Sequence, residues 1–95
     1  MAFGGITGHT GELRVGGRVA GRLGVWHARR VAEEDKWIIG AALGDHNPLW
    51  LPPKGTGPFE VRLDVGAVQW RWRPVELIVD GGGVSVTAYR RFEVV

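Results

Sequence analysis

From Phe59 to Val65, apolar and charged residues alternate without a break: Phe59, Val61, Leu63 and Val65 against Glu60, Arg62 and Asp64. A period of two marks a β-strand with one face buried, and a helix cannot bury such a pattern on one side. The following runs keep that period. Val68, Trp70 and Trp72 share a face opposite Gln69, Arg71 and Arg73. Beyond Pro74, residues Val75, Leu77 and Val79 continue with flipped phase. Proline cannot donate to a ladder, so Pro74 predicts an edge strand or a bulge. Asp80-Gly81-Gly82-Gly83 predicts a hairpin turn. A last strand over 84–95 then carries Val84, Val86, Ala88, Phe92 and Val94 on one side.

The N-terminal half is less regular. Met1 to Thr10 is Gly-rich and reads as irregular, and Glu12 to Val15 alternates as a half-buried strand. Gly16-Gly17 predicts a two-residue hairpin turn into a long, Gly-interrupted strand over 18–31. Val19, Leu23, Val25 and Val31 fall on one face of it, with Trp26 on the other unless a bulge at Gly24 resets the register. Residues 31–43 have two readings. Ala32-Glu33-Glu34-Asp35 suits the acidic first turn of a helix striped by Trp37, Ile38, Ala41 and Ala42. The alternative is a polar turn at 33–36 followed by a strand over 37–43. Residues 44–58, rich in Pro and Gly around Trp50-Leu51, read as a long loop.

These elements predict one domain over 1–95. Its class is all-β, or β-rich α+β if 32–43 is helical: a small antiparallel sandwich or barrel of about six strands with at most one helix. Composition fits. Hydrophobic residues are 44% and charged residues 23%, which excludes a disordered chain, a collagen or a coiled coil. No apolar run reaches the roughly 18 residues of a membrane helix, and Met1-Ala2-Phe3-Gly4-Gly5 lacks the basic head of a secretory signal. Cysteine is absent, so disulfides and thiolate metal sites are excluded. Glycine takes 16 of 95 positions, more than double its usual share, and five tryptophans exceed what one small core readily hides. Trp and Arg are both enriched at protein interfaces.

Residues 1–30 carry five Arg against Glu12, while residues 31–65 carry six acids against Lys36, Lys54 and Arg62. A net charge of +2 split in this way suits head-to-tail contact between copies better than a nucleic-acid surface, where a larger clustered excess is the rule.

Residues with catalytic potential are few. His9, His27 and His46 lie in separate segments without zinc-site spacing, and Asp45-His46 is the one acid–imidazole neighbour pair. Ser85, the only serine, sits inside an alternating strand without a nucleophile elbow. Asp45, Glu60 and Asp64 would form a carboxylate pair only through the fold. Gly81-Gly82-Gly83 lacks the Lys-Ser/Thr of a phosphate loop. No enzyme activity, metal or cofactor is expected. In Gln69-Trp70-Arg71-Trp72-Arg73 the pleat separates the Trp rings from the arginines, whereas base stacking and phosphate contact need one face. Trp70 and Trp72 therefore read as core residues.

The stretch from Gly8 to Trp26, with its Gly-rich opening, short strand, Gly16-Gly17 hairpin, Val19-Ala20 and Trp26, resembles the N-terminus of tail tube and related tail proteins of long-tailed bacteriophages. The resemblance covers nineteen of the 95 residues. It implies a β-rich subunit that assembles into rings within a virion. The chain leaves no room for that family's long inter-ring loop, so the expectation is a tail tube-like, minor tail or decoration subunit.

The function expected is assembly: binding to copies of itself and to other virion proteins, each weak contact multiplied by repetition. The predicted contact residues are Trp50 and Leu51 in the Pro-rich loop. Arg22, Arg29 and Arg30 are their charged companions, with the acidic stretch Glu33-Glu34-Asp35 of a neighbouring copy as partner; the alternative is that Arg29 and Arg30 pair with Glu33 and Glu34 within one chain. The alternative is a small barrel that binds single-stranded nucleic acid.

Overall fold

The computed structural model describes residues 5–55 and 58–94. Met1 to Gly4 of the predicted irregular opening, positions 56–57 of the predicted loop and Val95 of the predicted last strand lie outside the described residues. The chain is all-β. In order it forms β1 (Ile6–Gly8), β2 (Gly11–Val15), β3 (Arg18–Val31), β4 (Lys36–His46), β5 (Lys54–Gly55), β6 (Phe59–Val65), β7 (Val68–Trp72), β8 (Glu76–Asp80), β9 (Gly83–Ala88) and β10 (Arg91–Val94). All pair antiparallel in one sheet, ordered β10-β7-β6-β2-β3-β4-β9-β8-β5, with β1 added beside the far end of β3.

The sheet does not close into a barrel: its path ends at β10 and β5. It folds across itself instead. Trp37 on β4 meets Trp70 and Trp72 on β7, four places away in the sheet, at ring-centroid distances of 5.8 and 5.4 Å. These edge-to-face contacts join the β10-β7-β6-β2 half to the β4-β9-β8 half, and β3 runs through both.

The long reach of β3 explains the fold-over. Along its fourteen residues the buried side chains are Ala20, Leu23, Trp26 and Ala28, spaced three, three and two. A strict pleat would space them by two. The shift against β2 between Leu13 and Arg14, which skips Ala20, and the shift against β4 between Leu23 and Trp26 each put an extra residue on β3, while the shift between Gly21 and Leu23 puts one on β4. Such bulges bend and twist a strand. They put Trp26 inside and Val25 outside at 68% exposure, so the register does reset around Gly24. Trp26 fits because Gly8 lies flat against its ring, where a Cβ would stand 2.4 Å from a ring carbon. The indole N–H donates to the Thr10 carbonyl at 3.0 Å.

Of the two readings of residues 31–43, the turn and strand are correct. Ala32–Glu34 form a single 3-10 turn, closed by Asp35 in the left-handed region, and β4 runs straight from Lys36. Both Gly-Gly hairpins are present, with φ of 58° and 79° at Gly16-Gly17 and of 56° and 83° at Gly81-Gly82. Two positive φ angles in a row are the two-residue turn that matches strand twist.

Four expectations are corrected. The strands number ten among the described residues, because Ile6–Gly8 of the opening pairs with β3 and Lys54–Gly55 of the loop pairs with β8. β4 also extends to His46, which shortens the loop. β7 is not an edge strand: it pairs with both β6 and β10, and Pro74 lies buried beyond its end. The segment 84–95 is not one strand. β9 lies between β4 and β8, while β10 crosses to β7 after a break at Tyr89-Arg90. The crossing reverses the phase. Arg91 and Glu93 stand opposite Trp72 and Trp70 on the inner face, and Phe92 stands opposite Arg71 on the outer one.

Candidate functional site

Residues 47–51 form a tight turn. The Asn47 N–H donates to the Ala20 carbonyl at 2.8 Å, tying the turn to β3. The Asn47 carbonyl accepts the N–H groups of Trp50 and Leu51 at 3.0 and 2.8 Å, and its side-chain oxygen accepts that of Leu49 at 2.9 Å. This Asx turn, with Pro48 in second place, drives Leu51 into the core at 1% exposure. Leu51 is therefore not available as a contact residue, contrary to expectation. Trp50 is half-buried and packs against the core, with the Arg18 guanidinium 5.0 Å above its ring. Leu49, which sequence reasoning passed over, is 89% exposed at the tip. The signal was Asn47-Pro48, which fixes the turn and leaves the next side chain pointing out.

The predicted charged residues are spread along the β3–β4 hairpin. Arg22, Arg29, Glu33 and Glu34 are exposed and Arg30 is half-buried. Arg30 ion-pairs with Asp35 and Glu34 with Lys36, both across the turn within one chain. The hydrogen bond to Glu34 raises the Lys36 ammonium above its ordinary value of 10.5. Two of the charges assigned to a neighbouring copy thus already have partners at home. Arg22 stands across from Glu12 on β2, and Arg29 across from Ile38 on β4.

The outer face of the β2-β6-β7 region carries a lattice of side chains that the pattern of residues did not single out. Glu12 accepts from Arg14 Nε at 2.6 Å and lies 4.0 Å from Arg62. Glu60 accepts from Arg62 Nε at 2.5 Å and lies 3.7 Å from Arg71. Arg62 and Arg71 are directly opposite in register, an arrangement that repels unless an acid lies between them, and Glu60 does. Arg71 also donates to Gln69, and Gln69 to Asp64. At the end of this lattice a groove of about 580 Å³ is lined by Arg14, Arg62, Arg73, Glu60, Phe59 and Pro74.

The other outer face differs. Its rows run His27, Gly40, Ser85, Ile78 and Arg29, Ile38, Thr87, Glu76 across β3, β4, β9 and β8. On β4 and β9 the outward residues Ile38, Gly40, Ala42, Ser85 and Thr87 are all uncharged, with nothing within 4 Å above Gly40.

The residues weighed for chemistry do not converge. His9 sits at the β1–β2 corner with Nδ1 3.3 Å from Thr10 Oγ1, and His27 lies on the open face of β3. Asp45 and His46 line an open hollow of about 440 Å³ with Arg22 and Asn47. Ser85 is exposed on β9 opposite Gly40. Among the described residues no group of three or more His, Asp or Glu is placed to hold a metal ion, and no helix is long and apolar enough to cross a membrane. Trp70 and Trp72 face inward, Trp72 fully buried and Trp70 packed against the core. Comparison of the chain with protein-family models, with curated proteins and with solved structures gives no match.

Proposed function

We propose that this chain is a structural subunit of a tailed-phage particle, in the tail tube-like, minor tail or decoration class, and that it works by binding copies of itself and neighbouring virion proteins. The observation that carries the assembly reading is the uncharged patch of Ile38, Gly40, Ala42, Ser85 and Thr87 on the outer face of β4 and β9, bordered by Arg29 and Glu76, with Val25 68% exposed at its margin. A surface of Gly, Ala, Ser, Thr and Ile lets another backbone approach closely and costs little desolvation when covered. The assignment to a virion rests on the resemblance of residues 8–26 alone.

A second reading, binding of single-stranded nucleic acid, has the Arg14–Arg62–Arg73 groove in its favour. Two facts weigh against it. Arg14 and Arg62 are already held by Glu12 and Glu60, and the tryptophans that would stack bases face the core. Salt separates the two readings. Phosphate binding weakens steeply between about 50 and 200 mM salt, whereas burial of an uncharged face does not. The test is the mass of the purified chain in solution and its appearance in negative stain across that range. Rings, discrete oligomers or filaments that persist support assembly. A monomer that retains an oligonucleotide only at low salt refutes it.

A further inference from the structure

We propose that two copies of this chain pair edge to edge through β10, antiparallel, about a two-fold axis at Phe92. This rests on the assembly reading and names its contact and its partner, a second copy of the chain.

β1, off the main path of the sheet, is three residues long, and the path itself has two ends. At one, β5 is two residues long, too short to template another strand. At the other, β10 pairs with β7 on one side, and among the described residues no strand takes its other side. Its outward N–H and C=O groups are thus a ready ladder for an added strand.

The side chains choose the occupant and the register. Cross-strand neighbours share a face, so a continuous sheet requires inner residues to meet inner and outer to meet outer. A symmetric antiparallel pair can then centre on Arg91, Phe92 or Glu93. Centring on Arg91 puts Arg against Arg, and centring on Glu93 puts Glu against Glu, both repulsive. Centring on Phe92 places Arg91 opposite the partner's Glu93, twice by symmetry, and Phe92 opposite the partner's Phe92. It also lays the stem of Arg90 along the partner's Val94, which accounts for Val94 being an exposed apolar residue in the single chain.

Arg91 is prepared for this role. Its guanidinium lies 4.1 Å from the Trp70 ring and 5.8 Å from the Trp37 ring, and it donates through Nη1 to Glu93 at 2.7 Å. One of five N–H donors is used there, and the Glu93 carboxylate keeps acceptor capacity. Pairing would join two intrachain ion pairs into a closed ring of four alternating charges. Inward charges on an edge strand discourage pairing with any strand that does not match them. Here the signs alternate and complement themselves.

The test uses the full chain and its mass by native mass spectrometry and sedimentation, with thermal melting as the check on folding. Arg91→Glu alone and Glu93→Arg alone each set like charges opposite in a homodimer. Each should weaken the dimer roughly tenfold or more. Mixing the two variants should restore a one-to-one dimer, because every position 91 then faces an opposite charge at position 93. A second variant leaves Arg91 and its ring contacts intact. The chain has no cysteine, so Phe92→Cys can cross-link only between copies. Opposed residues in an antiparallel pair lie about 4.5–5.5 Å apart at Cα, within disulfide range. Mild oxidation should give a covalent dimer, while Asp64→Cys, exposed on the charged face of β6 and two strands in from the β10 edge, stays single. The β10 contact is overturned if both charge variants keep the wild-type mass, if mixing restores nothing, or if Phe92→Cys cross-links no better than Asp64→Cys. An oligomer that survives every variant overturns this contact and leaves the assembly reading standing. A wild-type chain that is monomeric at all concentrations overturns both.

Discussion

The two halves of the sheet share one core and present opposite outer faces. On the β2-β6-β7 half, Glu12, Arg14, Glu60, Arg62 and Arg71 lie flat in a chain of ion pairs, each side chain only 18–26% exposed. On the β4-β9 part of the other half, Ile38, Gly40, Ala42, Ser85 and Thr87 leave a low, uncharged patch, with Arg29 of β3 at its border. The first face satisfies its own hydrogen-bonding groups and gains nothing by being covered. The second has few polar side chains to lose to a partner. Charge count along the chain would have pointed to the arginines as the interacting residues. Their pairing shows why it is a poor guide: these guanidiniums lie largely buried among carboxylates of their own sheet, and covering them further costs desolvation with little new charge to meet.

The strongest way to break the comparison is to separate the halves. Trp72 is fully buried between them, and Trp72→Ala removes its ring contacts with Trp37 and Trp70. The expected loss is about 3–5 kcal/mol, a large share of the stability of a small domain, measured as a collapse in melting temperature or failure to fold. Trp72→Phe should cost less, since its indole N–H is buried with no hydrogen-bond acceptor among the described residues and need not be replaced. Next is the charged face. Glu60→Ala leaves Arg62 and Arg71 directly opposed, and should cost about 1–2 kcal/mol by urea denaturation. Added salt should shrink that loss by screening the exposed repulsion.

On the uncharged face the expected effect on folding is small and on association large. Nothing lies above Gly40, so Gly40→Lys should shift stability by less than about 0.5 kcal/mol. The same change plants a charged stem in the middle of the surface, and should reduce binding of any partner that covers it. Leu49→Ser sharpens the contrast at the smallest scale: the residue touches little of its own chain, so melting should not move, while Leu51→Ser two positions on should be severely destabilising.

What the residues revealed and what they concealed divide along a physical line. β6 was legible to the residue because Phe59–Val65 alternate strictly and nothing interrupts the pleat. Both Gly-Gly hairpins were legible because the turn type demands those conformations. The end of the chain was not. Apolar residues at 84, 86, 88, 92 and 94 read as one strand, yet β10 turns over so that Arg91 can lie on the Trp70 and Trp37 rings. A cation stacked on two rings from distant strands does the work of an apolar side chain, and no local pattern reports it. Of the predicted contact residues, Leu51 is buried for a related reason. Trp50 and Leu51 sit in a Pro-rich stretch that looks exposed, but Asn47 turns the backbone inward and leaves Leu49 outside. Arg30 and Glu34 find partners within the chain because a single 3-10 turn brings Asp35 and Lys36 to them.

The central claim is that the chain works by association, and its mass in solution tests that most directly. Sedimentation of the wild-type chain over a range of concentrations, at about 50 and 200 mM salt, should give a discrete multiple of the monomer mass at both. A monomer at every concentration, with an oligonucleotide bound only at the lower salt, would contradict it.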